Sequence, residues 1–231
     1  MRKQIRDKRI ALVIGGSGLV GSHLLDLLLE NNAYAEVRAM GRTMPDMKHD
    51  KLKFIPAELI SQKFPRSAFV GVDDLFCTVG TTQKKTPDKK EYEKIDVGIP
   101  SALAQMCHIF KVPQFLVVSS VGASTSSRFF YLRTKAEMEE RVITSGVRVV
   151  EIFRPSTLLG KRKEFRLGES IGKALDMITR YFMPKQYRAI HAGDVAKAMI
   201  VRALDEPLPG NNVWESYQIS DLAQLYDINE E

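Results

Sequence analysis

Hydrophobic positions along the chain fall into two alternating kinds of block. Short stretches read as strands at residues 10–14, 35–40, 52–56, 73–80, 114–118 and 147–153; of these, 10–14, 73–80 and 114–118 are apolar enough for strands buried inside a parallel sheet. Between several of them lie longer stretches with apolar residues every three or four positions, the spacing of one helix face: residues 23–29, 92–110 and 129–145. Pro100 predicts a kink or break inside the second stretch, and Gly146 a stop after the third. Residues 57–72 fit neither period, and Pro65 breaks any long helix there. Strand alternating with helix predicts an α/β fold built on a doubly wound parallel sheet.

From Ser156 onward the pattern changes. Residues 167–182 look helical, Asp194 can N-cap a helix over 195–204, and Pro207, Pro209 and Gly210 mark a turn. The tail holds the single tryptophan, Trp214, and a last short helix near 220–226. At 231 residues the chain suits one domain, with a core over residues 1–155 and a small C-terminal region, 156–231, packed on it.

Composition changes this picture little: 44% apolar and 27% charged residues place the chain among ordinary soluble globular proteins. The formal charge of +6 is modest, and its basic residues are spread, with small clusters over 2–9, 84–90 and 161–166. Solvated surface charge and attraction for a polyanionic ligand account for it better than a nucleic-acid partner. Cys77 and Cys107 lie inside apolar segments and read as buried hydrophobes in a reducing compartment, neither a disulfide nor a metal site. His23, His49, His108 and His191 are scattered without ligand spacing, so no metal is expected. No segment is long and apolar enough to span a membrane, and the apolar run after the basic start is too short for a signal peptide. A cytoplasmic location is the expectation.

Chemistry enters at the first strand. It runs into Gly15, Gly16, Ser17, Gly18, Leu19, Val20 and Gly21, and then into a helix. Strand, glycine turn and helix together form a phosphate-binding device: glycines let the backbone approach a pyrophosphate, and the helix N-terminus offers free N–H groups and a positive dipole end. The spacing fits two registers, Gly16-Gly18-Gly21 and Gly15-Gly18-Gly21. At the tip of the second strand, where such a fold meets the adenosine ribose, an acidic residue would select NAD. Arg42 stands there instead, followed by Thr43, which favours the 2′-phosphate of NADP(H). Gly80, at the end of the fourth strand, lets a ligand lie close to the backbone.

Tyr131 and Lys135 are spaced i and i+4 and share a helix face. A phenol ordinarily ionises near pH 10, too high for proton transfer near neutrality; an ammonium one turn away pulls that value down. Ser120, at the carboxyl end of the preceding strand, could hold a substrate oxygen.

These features in this order resemble a short-chain dehydrogenase/reductase. Within that superfamily the chain resembles the atypical NAD(P)-binding branch that includes the Tat-interacting-protein oxidoreductases and their bacterial relatives. The match runs through the glycine turn, Gly41-Arg42, residues 76–82 and 118–123, Tyr131-x-x-x-Lys135 and Phe153-Arg154-Pro155. The resemblance implies sheet order 3-2-1-4-5-6 and a Ser-Tyr-Lys set. Tyr131 would be the general acid/base, Lys135 would bind the nicotinamide ribose, and Ser120 would polarise a carbonyl, with Ser119 as second choice. Cofactor contacts would extend to Val79, Gly80, Thr81, Ser119, Arg154 and Pro155. The short Ser-to-Tyr loop and small C-terminal region depart from members that act on nucleotide sugars. Three functions compete: an NADP(H)-dependent oxidoreductase of a small carbonyl or alcohol, a dinucleotide-bound regulatory or scaffold protein, and, less favoured, a sugar-nucleotide epimerase or dehydratase. The expected partner is a small-molecule substrate, for a monomer or homodimer.

Overall fold

The apolar runs do become a sheet buried on both faces. In β1 (Arg9–Ile14), Ala11 and Val13 point into one core while Leu12 and Ile14 point into the other. The same alternation splits Leu116 of β5 (Gln114–Val118) from Phe115 and Val117. A strand sandwiched in this way has no polar face, so its sequence shows no alternation. The computed structural model describes residues 8–160, 187–205 and 209–230.

With β2 (Tyr34–Gly41), β3 (Leu52–Pro56), β4 (Asp74–Cys77) and β6 (Val149–Arg154), these strands stand in the order 3-2-1-4-5-6, all parallel. Helices cover both faces. On one lie α1 (Leu19–Glu30), α5 (Ala192–Leu204) and α6 (Ser216–Glu230). On the other lie α3 (Ile99–Phe110) and α4 (Phe130–Ile143), reached through α2 (Lys89–Glu93). Two short strands, β7 (Leu158–Leu159) and β8 (Ile190–His191), pair with each other apart from the main sheet.

The expected α/β doubly wound sheet is therefore observed, and it is larger than expected. A seventh strand, β9 (Gly210–Glu215), lies parallel to β6, in a stretch expected only to turn and carry Trp214. Its Gly-Asn-Asn start has poor strand propensity. It is held instead by a buried acceptor: Glu151 of β6 receives Trp214 Nε1–H at 2.5 Å and Asn212 Nδ2–H at 3.1 Å, and pairs with Arg202 at 3.3 Å.

Other boundaries shift for local reasons. Helix 92–110 is not simply kinked at Pro100. The chain forms α2, then a wide π-helical turn over Lys94–Gly98, then α3 with Pro100 in its first turn, where a missing N–H costs nothing. Asp194 does not cap α5; it sits in the first turn, and His191 occupies the N-cap without a side-chain bond. The last helix spans Ser216–Glu230, well beyond 220–226. Gly146, with φ +82°, ends the α4 region as expected. Residues 57–72 form two 3-10 turns, Leu59–Ser61 and Arg66–Phe69. The expected helix over 167–182, and the basic clusters over 2–7 and 161–166, lie outside the described residues.

Candidate active site

At the carboxyl end of β1 the chain turns sharply into α1. Gly15 adopts φ +90°, and a Cβ there would stand 2.7 Å from Thr78 Oγ1. At Gly21 a Cβ would stand 2.1 Å from the Gly15 carbonyl oxygen and 2.6 Å from Thr78 Oγ1. Neither position admits a side chain. Gly18 N–H donates to Gly15 O at 2.8 Å and N-caps α1 with no side-chain bond. At Gly16 a Cβ would meet side chains alone, Leu25 Cδ1 at 2.6 Å and Val13 Cγ1 at 3.9 Å, and no backbone. Packing thus decides between the two registers in favour of Gly15-Gly18-Gly21. The first turn of α1 holds no acidic side chain, so its N–H groups and positive dipole end are not offset there.

A cleft of about 520 Å³ opens above this turn, between the tips of β1, β2 and β4. Its floor is Gly15, Gly16, Ser17 and Gly18; Arg42 and Thr43 bound it on the β2 side, with Phe54, Glu58, Leu59 and Ile60 at the far end. Arg42 is exposed and makes no hydrogen bond or ion pair among the described residues. A second space of about 480 Å³ shares Gly18, Thr78, Val79, Gly80 and Thr81 with the first, and reaches Ser119, Tyr131 and Lys135. The two make one crevice across the carboxyl ends of the strands, where open α/β sheets take ligands.

Tyr131 enters from the first turn of α4 and is 36% exposed. Lys135, one turn on, is 4% exposed, and its Nζ stands 3.0 Å from Asp96 Oδ1. Asp96 projects from the π-helical turn, fully buried, and its Oδ2 accepts the Thr81 N–H at 2.8 Å. Burial pushes the Lys135 pKa down, but the Asp96 carboxylate, with the Tyr131 phenol beside it, holds it above its ordinary value.

The serines are less free. Ser119 donates its hydroxyl to Glu139, which lies on α4 one turn beyond Lys135. Glu139 in turn takes Arg154 in a two-pronged ion pair, Nε at 3.0 Å and an Nη at 2.6 Å, while the other Nη of Arg154 reaches Glu215 at 3.0 Å. These bonds raise the Arg154 pKa well above its ordinary value. Ser120 is buried; its hydroxyl makes one long contact, 3.4 Å, to Val121 O.

The model of the NAD(P)H-binding family matches residues 15–207. The chain belongs to the NAD(P)H-binding family. FMP52 of Candida albicans, named mitochondrial, is 33% identical over 195 residues, covering 81% of this chain and 85% of that protein. HTATIP2 of Rattus norvegicus is 30% identical over 170 residues, 72% of this chain and 70% of its own, which bears out the expected branch. Among solved structures, the UDP-glucuronic acid 4-epimerase of Bacillus cereus in complex with NAD superposes with a TM-score of 0.65 at 16% identity, covering 88% of this chain and 76% of that one. At that identity the likeness is one of fold. The cytoplasmic expectation is overturned: the FMP52 relatives are named mitochondrial.

In this NAD(P)H-binding chain the crevice gathers most residues singled out in the sequence. Gly15, Gly16, Ser17, Gly18, Val20, Arg42, Thr43, Val79, Gly80, Thr81, Ser119, Tyr131 and Lys135 all line it. Gly21 packs behind it against Gly15, and Leu19 lies against the position of Gly160. Ser120, Arg154 and Pro155 are not in its walls. Arg154 is occupied by its two carboxylates, and the buried Pro155 accepts the Val121 N–H through its carbonyl. Asp96 was missed. Its signal was an acidic residue between Ile95 and Val97 on a helix read as facing the core.

Proposed function

We propose that the chain is an NADP(H)-dependent oxidoreductase acting on a small carbonyl or alcohol, with Tyr131 as the proton donor or acceptor. One observation carries the reading: the Tyr131 phenol is exposed in the same crevice whose floor is the glycine turn, with the buried Lys135 one helical turn away. The turn fits a dinucleotide, because positions 15 and 21 exclude every side chain and the uncapped start of α1 presents N–H groups to a pyrophosphate. Arg42, without a partner among the described residues and exposed at the β2 tip, supports the 2′-phosphate form. Gly80 keeps the wall thin, and Lys135 supplies a fixed donor for a ribose hydroxyl. A bound nicotinamide supplies or accepts the hydride. Tyr131 gives its phenolic proton to the carbonyl oxygen in reduction, or takes one from the alcohol in oxidation.

The engaged hydroxyl of Ser119 and the place of Ser120 outside the crevice walls favour a second reading, a dinucleotide-bound regulatory protein with little turnover. The experiment is turnover of NADPH with a panel of aldehydes, ketones and quinones, native beside Tyr131→Phe. Turnover removed by the substitution supports the oxidoreductase. NADPH binding with no turnover on any carbonyl supports the second reading.

A further inference from the structure

Asp96 carries no step of that proton transfer, yet its carboxylate is fully buried in the crevice wall. A buried charge persists only where partners offset its desolvation. It has Lys135 Nζ at 3.0 Å and the Thr81 N–H at 2.8 Å. The pair sits against Gly80, where a Cβ would stand 3.5 Å from Asp96 Oδ1 and 3.7 Å from Lys135 Nζ. Both side chains line the crevice beside Gly80. The π-helical turn Lys94–Gly98, an inserted residue of the kind that marks functional sites, carries Asp96.

The sequence leads one to expect a net positive charge beside the Tyr131 phenol. Paired with Asp96, Lys135 provides none: opposite unit charges 3.0 Å apart act at a distance as a dipole. The other buried carboxylate nearby, Glu139, is committed to Arg154 and Ser119. The two redox states of nicotinamide differ in charge, a cationic oxidised ring and a neutral reduced one. A wall bearing a bare Lys135 would repel the first and leave the second alone.

We propose that Asp96 sets the redox-state preference of the crevice, cancelling the charge of Lys135 so that the oxidised dinucleotide binds no more weakly than the reduced one. This rests on the crevice being a nicotinamide site. Asp96 acts through Lys135 and is a positioning and charge-setting residue. Its consequence is that the site suits alcohol oxidation as well as carbonyl reduction.

Calorimetric dissociation constants for NADP+ and NADPH, measured on native protein and on Asp96→Asn, test it. Asparagine keeps the volume and the acceptor for Thr81 N–H but removes the charge. The native protein should bind NADP+ at least as tightly as NADPH. In Asp96→Asn the ratio of the oxidised to the reduced constant should rise about tenfold. The double variant Asp96→Asn/Lys135→Met, again without net charge, should return to the native ratio. An unchanged ratio, or both affinities falling by one factor as a purely structural role would produce, overturns the proposal. So does a native protein that binds NADPH tenfold more tightly than NADP+, which needs no variant. If the native protein binds neither form, the nicotinamide reading itself falls, and that result is distinct from an unchanged ratio.

Discussion

A phenol in the wall of a crevice is useful only if its proton moves. Replacing Tyr131 with Phe keeps the ring on the first turn of α4 and removes the hydroxyl that carries the proton. Steady-state assays should show kcat reduced about 10²–10⁴-fold, with NADPH affinity by calorimetry unchanged. Arg42 is tested separately. A charge-assisted contact to phosphate contributes enough that Arg42→Ala should weaken NADPH about tenfold or more and leave NADH unaffected. Equal loss of both would remove the phosphate role. At this scale the sequence was most legible for place: Gly15, Gly16, Gly18, Arg42, Tyr131 and Lys135 all line the crevice. It was least legible where a partner decides. Arg154 reads as a ligand-binding cation until Glu139 and Glu215 are seen to occupy it. Asp96 reads as a helix residue until Lys135 is beside it.

The element on which the site depends is α4. Tyr131, Lys135 and Glu139 recur every fourth residue along one face, and the last two are ion-paired to α3's leading turn and to β6. Glu139 is the anchor that ties the helix to the ends of β5, β6 and β9, through Ser119, Arg154 and Glu215. Its loss leaves Arg154 half-paired in a partly buried place. Glu139→Gln should therefore lower stability by about 2 kcal/mol in urea unfolding. It should also raise KM more than it lowers kcat, because the helix shifts while the phenol remains. Elements were legible in the sequence wherever periodicity came from burial on one or two faces, as in β1, β5 and α1. β9 was not legible, because its pairing relies on a buried glutamate across the sheet and no period within six residues betrays that. The π-helical turn escaped too: Pro100 announced a distortion, but the inserted residue lies ahead of it.

For the molecule as a whole, the two ends of the sheet do different work. The carboxyl end opens the crevice; the amino end is closed by a buried cluster in which Asp74 of β4 takes Arg9 at 2.7 Å and the Tyr34 hydroxyl at 2.9 Å. Burial pushes the Asp74 pKa up to about 6, beyond what Arg9 pulls back. A carboxyl that holds its proton more tightly folded than unfolded stabilises the fold at low pH, and that stability is lost as pH rises from 4 through 6. The unfolding free energy of the native protein from urea titration, relative to Asp74→Asn, should fall across that window by an amount on the order of 2–3 kcal/mol. A flat difference would show the acid to be ionised throughout. The strand order was legible at this scale because parallel strands joined by helices have few allowed arrangements. The location was not: the buried cysteines and the N-terminal residues read as cytoplasmic, whereas the FMP52 relatives are named mitochondrial. The central claim is that the crevice above Gly15-Gly18-Gly21 receives a nicotinamide dinucleotide. A fluorescence titration of NADPH against the purified protein tests it most directly, and predicts a saturable signal at one cofactor per chain; no saturable signal with any of NADPH, NADP+, NADH or NAD+ would contradict it.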